Sequence, residues 1–215
     1  MTISDIDGNI YHSITIGAQE WLIENLRTTK YSDGTAIPNL TVEADWVADS
    51  IGAYCWYNND IANKSDYGAL YNWYAVSKAN GLAPYGWRVS NNIDWNTLIS
   101  FLGGDAVAGG KLKEIGLSHW VAPNTGATDS YGFRILPGGF RSPVGFFNSM
   151  GTIASLWSSD QYNATKAWAY DLASSAAWID SSSQTKSAGF TVRCVRDVVP
   201  LHFKNNTFKI LMIAA

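Results

Sequence analysis

The chain has few charged residues and no long apolar run. Of its 215 residues only 15% are Asp, Glu, Lys or Arg, and the formal net charge is −3. Nucleic-acid-binding proteins normally present a basic face, which this charge balance does not supply. No apolar run approaches the ~18 residues of a membrane-spanning helix. The sequence therefore predicts neither a nucleic-acid partner nor a direct membrane span.

Cysteine and histidine are also scarce. Cys55 and Cys194 are too few for a disulfide framework, and His12, His119 and His202 lack the spacing of metal ligands. Cys194 belongs to an alternating apolar strand, so buried thiols are the favoured interpretation, with a Cys55–Cys194 disulfide as the alternative. We expect no catalytic residues, no metal site and no cofactor.

Aromatic residues are abundant instead. They make up 13% of the chain and include ten Trp, and hydrophobic residues reach 47%. This composition supports a sizeable core and excludes the disordered class. Without an internal repeat or a linker, residues 1–197 are expected to form a single α+β domain. Residues 198–215 form an apolar tail of unknown role.

Periodicity predicts several elements. Alternation over residues 7–26 indicates a hairpin that turns at Asp7-Gly8 and Gly17-Ala18. Apolar spacing predicts helices near 68–78 and 92–102, the second capped by Asn91 or Asn92 and ended by Gly103-Gly104. Residues 111–114 are predicted to form a turn. A twisted antiparallel sheet is expected from the C-terminal half.

The C-terminal quarter carries the functional signal. Trp157-Ser158-Ser159 and the alternating strand 189–197 enclose a segment, residues 160–188, that has little apolar periodicity. Binding residues tend to lie on irregular segments that a rigid scaffold holds. This arrangement favours a binding protein over an enzyme.

Seven blocks carry a resemblance to a known family. They are residues 5–11 (DIDGNIY), 21–29 (WLIENLRTT), 52–60 (GAYCWYNND), 67–76 (YGALYNWYAV), 84–89 (PYGWRV), 109–114 (GGKLKE) and 189–197 (GFTVRCVRD). Together they resemble the Fibrobacter succinogenes major paralogous domain family over roughly residues 5–197. Two departures are that Ala83 stands where the family usually has a Cys, and that the tail 198–215 has no counterpart.

The resemblance implies a divergent C-type lectin-like fold, with a twisted antiparallel sheet, two main helices and long ordered loops. Members of this class are found on secreted or surface proteins of gut and rumen bacteria. Some resemble the variable proteins of diversity-generating retroelements, in which adenine-directed mutation rewrites a C-terminal segment. Asn-rich relatives carry Asn at many positions that here hold Asp160, Ala169, Asp171, Ala173, Ser174, Ala177, Asp180 and Ser182.

These considerations predict a receptor- or adhesin-type protein with a diversified surface at 160–188. Its partner is expected to be a protein or glycan on another cell or virus, and its location extracellular, at the cell surface or on a virion. The N-terminus lacks the features of a secretory signal. The predicted ligand-binding residues are Asp160, Tyr162, Tyr170, Asp171, Ser174, Trp178, Asp180 and Ser182.

The aromatic and acidic residues also leave other interpretations open. Trp157 and Trp168 are expected to be core, whereas Trp178 is equally compatible with core packing or display. Trp and Tyr could stack on sugar rings, which would indicate a carbohydrate-binding or structural module. The formylglycine-generating enzymes share a related fold, but the close reactive thiols that they use are lacking. Glu-Pro-Asn and Trp-Asn-Asp calcium patterns are absent as well.

Overall fold

A computed structural model describes residues 2–79 and 81–198. Within these residues the chain forms fourteen β-strands. They are β1 (Ile3–Ser4), β2 (Ile10–Tyr11), β3 (Ser13–Ile16), β4 (Gln19–Leu22), β5 (Tyr54–Cys55), β6 (Leu70–Asn72), β7 (Arg88–Val89), β8 (Gly138–Arg141), β9 (Phe147–Met150), β10 (Ile153–Gln161), β11 (Lys166–Ala173), β12 (Ile179–Thr185), β13 (Gly189–Phe190) and β14 (Cys194–Asp197).

Helices are fewer and mostly short. The α-helices of the described chain are α1 (Glu43–Ala48), α2 (Lys64–Tyr67), α3 (Trp73–Val76), α4 (Asn92–Phe101) and α5 (Asp105–Leu112). Two 3₁₀ turns, Tyr57–Asn59 and Ile61–Asn63, lie between β5 and α2. Neither α4 nor α5, the longest helices described, has the length and apolar character of a membrane span.

The strands form one large sheet and two smaller ones. The large sheet has the order β12-β11-β10-β8-β13-β6-β5, with β9 paired to β8. Its pairings are antiparallel except for a single parallel contact between β10 and β8. A second sheet has the order β3-β4-β14-β7, and β1 pairs with β2. The predicted mixed fold with a mainly antiparallel sheet is therefore confirmed, although β5 and β6 of this sheet come from the N-terminal half of the chain.

Helix α4 is positioned by an aromatic cluster. Trp95 is fully buried and lies 5.1 Å from the ring of Trp21. On its other side Tyr170 of β11 stacks at 4.9 Å with the two ring planes inclined by 26°. Since stacked and edge-on aromatic pairs add to the energy of burial, this cluster joins α4 to both larger sheets.

The prediction of a helix over residues 92–102 is confirmed, and its cap is Asn91. The Asn91 side chain accepts a hydrogen bond from the Asp94 N–H, while the Asp94 carboxylate accepts one from the Asn91 N–H. Such a reciprocal capping box satisfies two backbone donors that the helix itself cannot. The signal was local, so the sequence was sufficient to reveal it.

The predicted hairpin over residues 7–26 is only partly correct. The Asp7-Gly8 turn joins β1 to β2, and a separate hairpin joins β3 to β4. At the start of this region Ile10 is exposed and Tyr11 is buried. The Tyr11 hydroxyl donates to the Asp5 carboxylate at 2.7 Å, a bond that holds the ring inside.

The predicted helix over residues 68–78 is wrong for its first half. Residues Leu70–Asn72 form strand β6, and only one helical turn, Trp73–Val76, follows. The Asn72 side chain explains the break, since its amide oxygen accepts from the N–H groups of both Ala53 and Ala75. An N-cap in the middle of an apolar periodic run divides it into strand and helix.

Helix α5 was missed because it contains Gly109 and Gly110, and glycine disfavours helices. Residues 111–114 were predicted to be a turn, whereas the helix continues to Leu112. A Cβ atom at Gly109 would clash with the Trp178 carbonyl, and one at Gly110 with the Gly126 carbonyl. The two glycines therefore let two loops pack directly on the helix backbone.

The cysteines are buried and unpaired, as the favoured interpretation predicted. Cys55 and Cys194 lie in different hydrophobic clusters. Burial raises the pKa of the Cys55 thiol to about 12 and also raises that of Cys194. The apolar tail predicted at 198–215 lies, apart from Val198, outside the described residues.

Lys113, directly after α5, is a fully buried cation without a carboxylate partner in the described chain. Its ammonium group donates to the carbonyl oxygens of Thr125, Ala173 and Ala176 at 2.7–3.0 Å. Burial lowers its pKa to about 8, which still leaves it charged at neutral pH. Three donors therefore meet three acceptors, and the loops on either side of α5 are held together.

We expect Lys113→Met to lower the free energy of unfolding by roughly 3 kcal/mol or more, because three buried carbonyls lose their donor. Lys111→Met is the matched control, since Lys111 donates to a single carbonyl, that of Leu102, at 2.7 Å. Its expected cost is about 1 kcal/mol. Denaturant unfolding measures both values, and equal losses would contradict the role given to Lys113.

Candidate recognition surface

A groove of about 290 Å³ crosses one face of the large sheet. We call it the sheet groove. Its walls are mainly apolar, and its polar groups come from three adjacent strands. The lining residues are Phe140, Ile153, Ser155, Asp171, Leu172, Ala173, Trp178, Asp180, Gln184 and Phe190. Apolar walls with a few convergent polar groups are the usual composition of a ligand site.

The polar groups of the groove form a row across β10, β11 and β12. Ser155 is directly opposite Asp171, and Asp171 is directly opposite Asp180. The Ser155 hydroxyl donates to the Asp171 carboxylate at 2.5 Å. Like charges on opposed residues of neighbouring strands are destabilising. The sheet therefore keeps two acidic groups adjacent at an energetic cost.

Asp171 is the more buried of the two carboxylates. Burial raises its pKa above the ordinary value of 3.8, the Asp180 charge raises it further, and hydrogen bonds from Ser155 and Ser182 act in the opposite direction. No salt bridge neutralises Asp171 or Asp180 within the described residues. A partly buried carboxylate without a counter-ion, at the side of a groove, is a candidate functional group.

Trp178 forms an exposed wall of the groove, with 43% of its surface accessible. Its backbone is held firmly, because its carbonyl lies against Gly109 and the preceding Ala177 carbonyl accepts from the Gly110 N–H at 2.8 Å. Lys113 holds the same loop through Ala173 and Ala176. The indole is thus displayed on a rigid backbone.

Four of the eight predicted site residues meet at the groove. Asp171, Trp178 and Asp180 line it, and Ser182 adjoins it and accepts a hydrogen bond from the Gln184 amide at 2.9 Å. Alternation along a strand explains the grouping, since residues 180, 182 and 184 share one face of β12. These four residues form the part of the prediction that the structure brings together.

The prediction that Tyr170 and Ser174 are displayed is wrong. Tyr170 is buried against Trp95, and Ser174 is buried while its backbone bonds to Thr125 and Thr152. Tyr170 alternates with Asp171 along β11, so it points to the opposite face of the sheet, into the core.

Asp160 and Tyr162 lie away from the groove. The Asp160 carboxylate accepts from the Asn92 N–H at 2.9 Å, at the positive end of α4, where an anion is stabilising. Tyr162 is exposed and meets Trp168 edge-on at 5.1 Å. Trp157 is buried as expected, whereas Trp168 is only partly buried, so its expected place in the core is wrong.

The prediction missed several groove residues. Gln184 lay within the segment 160–188 but was not singled out, and Phe190 was assigned to the scaffold alone. Ser155, Phe140 and Ile153 come from strands that precede the segment. Only the strand register shows that Ser155 faces Asp171, and a single sequence does not determine register.

A larger cavity of about 660 Å³ near the end of β14 is a weaker candidate. Its charged groups neutralise each other, because Arg196 pairs with Glu20 at 2.7 Å and Arg88 pairs with Asp197 at 3.2 Å. It also borders Val198, where the described chain ends. Metal ligation has no support in residues 2–79 and 81–198, where no three His, Cys, Asp or Glu side chains cluster suitably.

Comparison with known proteins gives a family match. The family model of the Fibrobacter succinogenes major domain matches residues 14–196. No curated protein and no solved structure matches the chain significantly. The family match begins in β3 and ends in β14, so it includes both longer helices and every strand that lines the groove.

We expect Asp171→Asn to raise the melting temperature at pH 7, because the folded state no longer holds a partly buried carboxylate. Since the folded pKa is raised, the wild-type protein loses stability as pH rises above 3.8, until Asp171 is ionised in both states. The difference in melting temperature should therefore be smallest near pH ~3 and grow with pH. The exposed Asp180→Asn serves as control with a smaller effect, and a difference independent of pH would refute this account of Asp171.

Proposed function

This chain belongs to the Fibrobacter succinogenes major domain family, and from that premise we propose that it is a non-enzymatic ligand-binding protein of receptor or adhesin type. The observation that carries the proposal is the sheet groove, with its apolar walls, displayed Trp178 and two uncompensated carboxylates. The proposed ligand is a protein on the surface of another cell or virus. Such a partner implies a location outside the cell, at the cell surface or on a virion.

Several features of the described chain support binding over catalysis. Both thiols are buried with raised pKa values, which disfavours the thiolate that a nucleophile requires. Asp171 and Asp180 have neither a histidine nor a basic residue beside them in the groove lining. A displayed aromatic side chain on a rigid backbone is instead typical of an interface anchor, since Trp is enriched among binding hot spots.

The proposed fold is a divergent C-type lectin-like fold. In support, the two longer helices pack beside a mainly antiparallel sheet, and long ordered loops connect the remaining strands. The pairings of β10 with β11 and of β11 with β12 form the scaffold below the recognition surface. Superposition of an experimental structure on lectin domains would test this assignment.

We further propose that the chain is the variable protein of a diversity-generating retroelement. Backbone hydrogen bonds hold β11 and β12 together whatever side chains they carry, so exposed positions on these strands tolerate exchange. Trp178, Asp180 and Ser182 have side chains that surface substitutions could vary at small cost in stability. Tyr170 and Ser174, being buried, are not expected to vary freely.

The diversification proposal predicts a pattern among natural alleles. Sequences of this locus from independent isolates should differ mainly at Asp171, Trp178, Asp180 and Ser182, while Tyr170 stays aromatic because it packs on Trp95. Synonymous positions in the same segment provide the control for the background mutation rate. Substitutions spread evenly over the chain would contradict the proposal.

The binding proposal predicts peptide ligands that depend on Trp178. The full-length chain, immobilised, should enrich binders from a random-peptide phage library, and Trp178→Ala should weaken them more than about tenfold, as for a hot-spot anchor. Tyr162→Ala is the matched control, since Tyr162 is an exposed aromatic residue outside the groove. Binders should retain their affinity for it.

Two results would overturn the binding proposal. The first is failure to enrich any peptide, and the second is loss of binding in Tyr162→Ala with retention in Trp178→Ala. A glycan array run in parallel tests the alternative ligand class. Glycan binding without peptide binding would replace the protein ligand by a carbohydrate, which the exposed Trp178 and Tyr162 could stack upon.

A further inference from the structure

The charges of the sheet groove point to the chemistry of its occupant. Among the residues that line it, Asp171 and Asp180 carry negative charge and none is basic. The two carboxylates are directly opposed on adjacent strands, so a single cation between them would contact both. A cation would also offset the repulsion between the two carboxylates, because it attracts both of them.

The walls restrict which cation fits. Trp178, Ile153 and Phe190 present apolar surface beside the carboxylates. Calcium takes six to eight oxygen ligands. Two carboxylates beside an apolar wall do not provide that many. A cation at the end of an apolar side chain suits both the walls and the carboxylates. The apolar stem packs against the walls while the charge reaches the carboxylates.

The size of the groove indicates one side chain rather than a whole small molecule. Its volume of about 290 Å³ lies just below the range for sites of whole small molecules, roughly 300–1,000 Å³. A compact ammonium group suits a position between two carboxylates on neighbouring strands, whereas the planar guanidinium group prefers one carboxylate aligned in its plane.

We propose that the sheet groove binds the side chain of a lysine of the ligand protein, with the ammonium group between Asp171 and Asp180 and the stem against Trp178. This inference rests on the proposed function and specifies its partner. The Trp178 ring adds a cation–π contribution to an ammonium beside it. The raised pKa of Asp171 is consistent with a carboxylate that lacks its cation in the unbound protein.

The test uses the full-length ¹⁵N-labelled chain and Nα-acetyl-lysine methylamide as probe. We expect saturable NMR shifts at the amides of Ser155, Asp171 and Asp180 and at the Trp178 indole, with a dissociation constant in the millimolar range. The norleucine methylamide, which has the same stem without the ammonium group, should bind at least tenfold more weakly. So should the Nε-acetylated lysine probe, which is neutral.

Matched variants test whether the carboxylates of Asp171 and Asp180 bind the ammonium group of the probe. Asp171→Asn and Asp180→Asn should each weaken binding of the lysine probe at least fivefold, while Asp45→Asn, at an exposed position of α1, should leave its binding unchanged. Melting curves confirm that each variant is folded. Equal binding of lysine and norleucine probes, absence of saturable shifts, or full binding by the double variant Asp171→Asn/Asp180→Asn would overturn the inference.

The two proposals can fail separately. Peptides from the phage library that depend on Trp178 but contain no lysine would overturn the lysine inference and leave the binding function standing. Lysine-probe binding together with a library that yields no Trp178-dependent peptide would support the lysine site and count against a peptide-binding function.

Discussion

The architecture depends on buried cations that donate hydrogen bonds to backbone carbonyls and uncharged side-chain oxygens instead of to carboxylates. Lys113, Arg141, Lys186 and Arg193 are all buried, and none forms a salt bridge within the described residues. Each also lies over an aromatic ring, in order Trp120, Trp46, Trp73 and Phe133, at 4.5–5.2 Å. A buried charge is tolerable only when hydrogen bonds replace its hydration, so each site has to assemble from several loops.

Each cation therefore joins loops to one another or to the end of a strand. Arg141 donates to the carbonyls of Leu40, Thr41 and Gly145, and Arg193 donates to the carbonyls of Leu22, Phe133 and Arg134. Buried loop carbonyls need donors, and long cationic side chains supply several from a single residue. A chain with only 15% charged residues can thus still order long loops.

Local signals made part of this fold predictable from sequence. The capping box at Asn91 and the apolar spacing that follows identify α4 without tertiary information. The regular strands β11 and β12 were not identified, because the segment 160–188 has little apolar periodicity and was taken to be irregular. Helix α5 was not predicted because it contains Gly109 and Gly110, which have low helix propensity. These glycines allow distant loops to pack closely on the helix, and helix propensity does not reveal such contacts. Tyr170 was misplaced for a related reason. Its place in a segment with little apolar periodicity suggested display, but strand alternation turns it toward Trp95 and turns Asp171 toward the groove.

The buried cations and the carboxylates of the sheet groove differ in the partners that the chain supplies to them. Four buried cations have their hydrogen-bond partners within the chain, whereas Asp171 receives hydroxyl hydrogen bonds, faces Asp180 and has no cation. Nothing in the strand pairing requires acidic residues there, because backbone bonds between β11 and β12 do not depend on side-chain charge. A sheet selected for stability alone would hold neutral side chains at these positions. Departures from local stability tend to occur at functional sites, and here the departure coincides with apolar walls and a displayed Trp178. The two carboxylates without a cation are therefore the observation on which the proposed lysine site rests.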